Sequence, residues 1–321
     1  MIASERQRRV LVLGGTGLLG AEIARAYIAD GNPVTVLARH RPTGERAVWL
    51  RSAKQILGTA EDPAVLSEAL EDAGHVVHAL GSPPPGATAV EPLAQHVSVV
   101  PTLLGVLDAL RVRPGVSLTY LSSGGAVYGN DCPLPASEDS ACHPVSAYGV
   151  TKLTAEHFIE VYAGLHGTPA RILRVANAYG PQQSPDTGQG VVATFLNAAL
   201  TGESVRVYGD GSNVRDYVEA SDVASAVVRL SGHADGVRVV NVGSGTGHSI
   251  SQVLEIVEAT TGRRLPVEWA ASRQTDVSAV YVDTSRLRQL IEWHPMPLAE
   301  GVAAMWAAWC TSEVPITGQR A

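Results

Sequence analysis

Cysteine, lysine and aromatic residues are all scarce in this chain of 321 residues, and each shortage excludes something. The three cysteines, Cys132, Cys142 and Cys310, contain no C-x-x-C pair and cannot all be bonded within one chain. A disulfide scaffold is therefore excluded, and a reducing, cytoplasmic setting is expected. The ten histidines show neither H-x-x-x-H nor H-E-x-x-H spacing, so no metal site is expected. The formal charge is −7, with no basic tract to concentrate positive potential, which argues against nucleic acid as a partner. Long hydrophobic runs are also missing. Asn197 and Glu203 interrupt the best candidate, and glycines interrupt the apolar run after the charged start, so no membrane span and no signal peptide are expected.

What the chain does hold is 45% hydrophobic residues, enough for one large core or two unequal ones. Short apolar runs at 10–13, 34–37 and 75–79 alternate with segments of helical period at 21–30 and 63–73. The alternation continues with a helix over 93–111, a strand at 117–121, a helix from Ala147 to about His166 and a strand at 171–175. Such an order builds βαβ units on a parallel sheet. After Gly180 the texture changes to a Gly/Pro/Gln/Ser-rich loop, short strands near 205–208 and 237–242, and helices near 249–261 and 284–291. The expected fold class is α/β: a Rossmann-type doubly wound parallel sheet over residues 1–180, with a return around 215–230, and a smaller C-terminal substrate-binding lobe over most of 181–321.

Between the first strand and its helix stands Gly14-Gly-Thr16-Gly17-Leu18-Leu-Gly20. In that position Gly14 permits the tight turn, Gly17 lets backbone approach a pyrophosphate, and Gly20 lets helix and strand pack closely. Thr16 and Leu18 are counted with the glycines as cofactor-binding, with the phosphates at the helix N-terminus. A carboxylate for an unphosphorylated ribose is absent from the end of the second strand, which reads Ala38-Arg39-His40-Arg41. Arg39, with Arg41, suits a 2′-phosphate, so NADP is the expected cofactor and NAD the alternative; the two arginines also read as a solvated loop.

The only lysines are Lys54 and Lys152, so a chance Tyr-x-x-x-Lys among nine tyrosines arises in roughly one such sequence in twenty. Tyr148-Gly-Val-Thr-Lys152 is such a match, and on a helix from Ala147 its two side chains share one face. A tyrosine titrates near pH 10. An adjacent ammonium and a cationic nicotinamide ring favour phenolate, which makes Tyr148 the proton-transfer residue and Lys152 its activator and a holder of the cofactor ribose.

With these two motifs the chain resembles, over almost its whole length, the extended short-chain dehydrogenase/reductase family, in particular its nucleotide-sugar epimerases, dehydratases and reductases. Leu121-Ser-Ser-Gly-Gly-Ala-Val-Tyr128-Gly is similar to the family segment that supplies a catalytic hydroxyl. Arg174-Val-Ala-Asn177-Ala-Tyr-Gly-Pro181 is similar to its substrate loop, and the segment 207–218, with Arg215, to the one that grips a diphosphate; Arg273 through Asp276 is similar to the second arginine site. The resemblance implies Tyr128, Asn177, Arg215 and Arg273 as substrate-binding residues, a thymidine- or uridine-linked nucleoside-diphosphate sugar as substrate, and a homodimer. A salt bridge of Arg215 with Asp216 or Asp222, and packing roles for Tyr128 and Asn177, are the structural alternatives. His78 reads as a strand-end histidine without a catalytic role.

The chain departs from the family pattern at several places. Gly124 stands where the hydroxyl usually sits, leaving Ser123, or Ser122, to serve. Gly125 and Ala126 replace the acid pair of the dehydratases, which excludes dehydration. Thr59 and Ser98 replace an Asp and an Asn common near the cofactor, which suits an enzyme that releases its cofactor each turnover. The reading that follows is a reductase of a nucleotide-linked 4-keto-6-deoxy sugar, with Tyr148 donating the proton and Ser123 polarising the carbonyl. A 4-epimerase using the same residues is the runner-up. A non-catalytic, dinucleotide-sensing regulator is the reading from another class, opposed by the intact Tyr148 and Lys152.

Overall fold

The computed structural model describes residues 8–81, 92–183, 190–231, 237–273 and 277–311. The chain opens with β1 (Arg9–Leu13), α1 (Leu18–Ala29), β2 (Val34–Ala38), α2 (Gly44–Trp49), β3 (Lys54–Leu57), α3 (Pro63–Ala69) and β4 (Ala73–His78). It continues with α4 (Pro92–Arg111), β5 (Ser117–Ser123), α5 (Ala147–His166) and β6 (Ala170–Val175). Then come β7 (Asn177–Tyr179), α6 (Val191–Thr201), β8 (Val205–Tyr208), β9 (Val214–Glu219), α7 (Ala220–Leu230) and β10 (Val237–Val242). The last elements are β11 (Gly247–Ser249), α8 (Ile250–Thr261), β12 (Val267–Ala270), β13 (Ala279–Val280), α9 (Ser285–Leu290) and α10 (Leu298–Thr311).

Seven strands form one sheet in the order β10-β6-β5-β4-β1-β2-β3, and every pair is parallel. The chain leaves β1 toward β2 and β3 on one side, then returns to β4, β5 and β6 on the other, so the order reverses between β1 and β4. A crevice opens at such a switch point, outside the carboxyl ends of the strands. Parallel strands covered by helices on both faces are apolar along their whole length. In β1, Val10 and Val12 point into the layer that holds α1 and α7, while Leu11 and Leu13 point into the layer beneath α4 and α5. That alternation is the period of two of an extended strand.

The smaller lobe has its own core, built from α6, α8 and α10 around β8 and β12, with Phe195, Val253 and Met305 at its centre. A four-stranded sheet of β7, β9, β11 and β13 leads from the large sheet into this lobe. Of the return expected around 215–230, residues 220–230 form α7, which packs beside α1, while 215–219 lie on β9 in the second sheet. One strand lies elsewhere than expected: Val237–Val242 pairs with β6 and extends the large sheet rather than belonging to the lobe. Its register with β6 lets Val240 and Val242 complete the sheet's apolar layer, and that pairing is non-local. Among the described residues no helix is long and apolar enough to cross a membrane.

His75 is buried on β4, with Nδ1 2.8 Å from Ser117 Oγ and Nε2 3.3 Å from Thr119 Oγ1. Burial, with Arg171 and Arg8 adding repulsion, pulls its pKa down from 6.5 to about 4. The folded state thus holds a neutral ring that the unfolded chain protonates below about pH 6.5, so stability present above that value is lost as the pH falls toward about 4. In wild type, this histidine is expected to account for about 2 kcal/mol of the stability lost between about pH 7 and about pH 5. Urea unfolding of His75→Gln at both pH values checks this; an acid slope equal to that of wild type would contradict it.

Candidate active site

The glycine-rich turn sits at the carboxyl end of β1, where the strand order reverses. Gly14 takes φ +79°, and a Cβ on it would lie 2.7 Å from the carbonyl oxygen of Ala79 on the neighbouring chain segment, so this turn admits no side chain. Gly17 is different. Its φ of −73° suits any residue, and a Cβ there would meet only the Gly14 oxygen, at 3.3 Å. Neither backbone nor packing strictly demands glycine there, so a molecule approaching from outside is the fitting reason for it. Gly17 is also the N-cap of α1 and offers no capping side chain, and no acidic residue occupies the first turn. The helix therefore presents its leading N–H groups and the positive end of its dipole to an anion, which is what a dinucleotide pyrophosphate requires.

Ser123 ends β5, two strands from the glycine turn on the same carboxyl edge. Successive side chains of a strand face opposite ways, and the two serines divide accordingly. Ser122 is buried and donates to Glu156. Ser123 is half-buried and shares a hydrogen bond with the Tyr148 side chain. Gly124 has no room for a hydroxyl-bearing residue, because its Cβ would come within 2.9 Å of both the Arg174 carbonyl oxygen and Val282. The serine left open by the sequence is thus Ser123 on geometry.

Tyr148 and Lys152 lie in the first turns of α5, whose start is fixed by Ser146 accepting from Gly149 N at 3.1 Å and whose end is closed by Gly167 in the left-handed region. Lys152 is buried and donates to the Leu121 carbonyl at 2.9 Å; its Nζ lies 5.8 Å from the Tyr148 ring centre and 5.0 Å from that of Tyr120. Burial lowers the Lys152 pKa to about 8, partly offset by Glu156. Within the protein alone the Tyr148 pKa is raised: desolvation outweighs the hydrogen bond with Ser123, and the lysine turns its ammonium to a backbone carbonyl.

Beneath this triad lies a buried ion pair. Arg174 Nη2 donates to Glu156 Oε2 at 2.8 Å, and its Nε reaches both carboxylate oxygens at 3.2 and 3.1 Å. Arg174 Nη1 also donates to the Tyr128 hydroxyl at 3.2 Å, which in turn donates to Asn241 Oδ1 at 2.6 Å. Tyr128, expected at the substrate, is fully buried, and its hydroxyl is spent inside the fold.

The remaining expected residues border the crevice or the lobe. Asn177 is exposed and donates to the Asp216 carbonyl at 3.0 Å, and a Cβ on Gly125 would come within 3.3 Å of its amide. Arg215 is half-buried on β9 and donates to the Val214 carbonyl at 2.8 Å. The Asp216 carboxylate accepts from Ser244, Gly245 and Val282, and that of Asp222 from the Met296 amide. Arg273 stacks over the Tyr208 ring at 4.0 Å in the lobe. Asp276 and the Ser98 side chain lie outside the described residues. Arg39 and Arg41 are exposed beyond the end of β2, and Thr59 is half-buried beyond the end of β3. Sequence reasoning passed over Arg46, whose guanidinium donates to the carbonyl of Thr16 within the glycine turn; no spacing rule marks it.

Two substitutions test this geometry. Gly17→Ala is expected to leave the unfolding midpoint near that of wild type while abolishing dinucleotide binding by calorimetry; unchanged binding would contradict the account. Arg174→Met leaves Glu156 buried without its partner and is expected to cost roughly 3–5 kcal/mol in denaturant unfolding. A loss below about 1 kcal/mol would mean that the pair does not hold α5 in place.

The chain is 31% identical over 305 residues to the UDP-glucose 4-epimerase of Mycolicibacterium smegmatis, covering 92% of this chain and 96% of that protein. In structure it is similar to the UDP-glucose 4-epimerase of Thermotoga maritima solved with UDP-glucose, with a TM-score of 0.87, 28% identity and coverage of 94% and 98% of the two chains. It is equally similar to the UDP-glucose 4-epimerase of Thermus thermophilus in complex with NAD, with a TM-score of 0.87, 29% identity and coverage of 95% and 99%. Residues 10–243 match the NAD dependent epimerase/dehydratase family, and the chain belongs to that family.

Proposed function

We propose that this protein is an NAD-dependent 4-epimerase of a uridine-diphosphate hexose. The observation that carries the proposal is the extent of the match to UDP-glucose 4-epimerases. It runs through the small lobe as well as the dinucleotide half, 92% of this chain against 96% of the relative. The lobe is where a choice of substrate is made, and a relative that shared only the cofactor would match only the sheet. The reductase first read from the sequence uses the same Ser123, Tyr148 and Lys152, so it gives way on the comparison and not on the site.

NAD is the cofactor we assign. The Thermus thermophilus relative binds NAD, whereas the argument for NADP rests on the missing carboxylate after β2 and on Arg39 and Arg41, both exposed. The glycine turn and the uncapped start of α1 would hold the pyrophosphate, and Lys152 the nicotinamide ribose. When bound, the dinucleotide supplies a hydride acceptor and donor at the sugar carbon. Tyr148, as the phenolate that Lys152 and a cationic nicotinamide ring would favour, takes the proton from the sugar 4-hydroxyl as the carbon is oxidised and returns it after the keto-sugar has turned over in the site. Ser123, bonded to the tyrosine, orients the same oxygen. Asn177, Arg215 and Arg273 are the candidates for the diphosphate. Gly125 and Ala126 offer neither acid nor base, which supports epimerisation over loss of water. Val161 and Leu165, 53% and 72% exposed on α5, support a homodimer through that helical face.

Incubation with UDP-glucose is expected to yield its 4-epimer without net use of nicotinamide, followed by chromatography or NMR of the sugar. Tyr148→Phe is expected to lower the rate by about 10²–10⁴-fold with folding intact. Stoichiometric loss of reduced nicotinamide with a thymidine-linked 4-keto-6-deoxyhexose, and no epimer from UDP-glucose, would return the assignment to the reductase.

A further inference from the structure

Arg46 lies outside the glycine turn and the Tyr148–Lys152 motif, on the short helix α2 that follows β2. Its guanidinium is forked between two carbonyls distant in sequence. Nη1 donates to Thr16 O at 2.8 Å, inside the glycine turn, and Nη2 donates to Gln182 O at 2.5 Å, in the loop that leaves Asn177 for the small lobe. A second bond runs parallel to the first, from Gln182 Nε2 to Glu45 Oε2 at 2.5 Å. On the far side, Pro181 O accepts from Trp309 Nε1 of α10 at 2.9 Å. The dinucleotide turn and the lobe are therefore linked through Thr16, Arg46, Gln182, Pro181 and Trp309.

The acceptor at Thr16 gives this link its force. In a planar trans peptide the carbonyl and the following N–H point in opposite directions. Holding the Thr16 oxygen outward therefore keeps the Gly17 N–H turned inward, where it donates to Gly14 O at 3.0 Å. One planar guanidinium satisfies both carbonyls at once, which a lysine ammonium on its flexible stem does not do with the same geometry. Arg46 also faces Glu22, a buried carboxylate on α1 whose pKa is raised by burial and held back by Arg25 and by the Arg46 charge. The arginine thus sits half-buried in a polar seam between the two lobes, not in open solvent.

We infer that Arg46 is a positioning residue that couples the dinucleotide turn to the substrate loop, so that filling either site stiffens the other. It acts through the peptide planes at Thr16 and Gln182. The identity of the two ligands rests on the functional reading above. Coupling of this kind is reciprocal, and its size is read as a ratio of affinities.

The test measures NAD affinity with and without saturating UDP, on dinucleotide-free protein, in wild type, Arg46→Met and Arg46→Lys. In wild type UDP is expected to tighten NAD binding by about fivefold or more. In Arg46→Met each ligand still binds but the ratio falls to about one, and Arg46→Lys does not restore it. A purely structural role would weaken both affinities and leave the ratio unchanged, and that result overturns the inference. Full rescue by lysine overturns it too, since charge near Glu22 would then suffice. Hydrogen exchange of the unliganded protein supplies an arm independent of substrate: the amides of residues 16–19 and 180–183 are expected to exchange faster together in Arg46→Met. Unchanged exchange overturns the clamp. A wild type that binds NAD but not UDP counts against the functional reading, and the exchange result then decides the clamp alone.

Discussion

The buried pair between Arg174 on β6 and Glu156 on α5 is the constraint on which the site depends. Two charges taken out of water are costly unless both are hydrogen-bonded, and here every guanidinium nitrogen and both carboxylate oxygens have a partner. Burial alone would lower the Arg174 pKa, but the hydrogen bonds and charge of Glu156 raise it instead. Glu156 is one helical turn beyond Lys152 and two beyond Tyr148, and it also accepts from Ser122, the neighbour of Ser123. Fixing Glu156 therefore fixes the roll of α5 against β5, and with it the side on which tyrosine, lysine and serine meet. On its other side Arg174 reaches Tyr128, and through it Asn241 on β10, which ties the loop after β5 to the edge of the sheet.

Most of the sheet was legible because its parts obey local rules. The helix over 147–166 has the bounds expected of it, with Ser146 at its cap and Gly167 at its close. The apolar runs of β1, β2 and β4 are those of strands buried on both faces. By contrast β3, Lys54–Leu57, has only Ile56 buried, so it carries no hydrophobic signal; it exists because β2 offers a free edge. Val237–Val242 read well as a strand, but its place beside β6 is a non-local pairing that sequence order does not reveal. The closing helix α10 contains Leu298, Val302 and Met305 at helical spacing, yet its alanine-rich remainder blurred the pattern.

At the site the glycine turn, Tyr148 and Lys152 could be placed from spacing alone, because each motif is a few residues long and lies on one element. The choice between Ser122 and Ser123 could not, since it depends on which face of β5 meets Glu156. Nor could the state of Tyr148. The sequence supplies a lysine four residues away, but the fold directs that ammonium to Leu121 O and half-buries the phenol, so in the protein alone desolvation sets the sign. Tyr128 shows the same limit: a tyrosine in a functional motif is drawn into the buried network by an arginine 46 residues further on.

We propose that this aligned serine, tyrosine and lysine serve an oxidation and its reversal at one sugar carbon. The most direct measurement follows deuterium placed at C4 of UDP-glucose through turnover. The account predicts that the 4-epimer forms with the label still on C4. An epimer whose C4 deuterium has been exchanged for solvent hydrogen would contradict it.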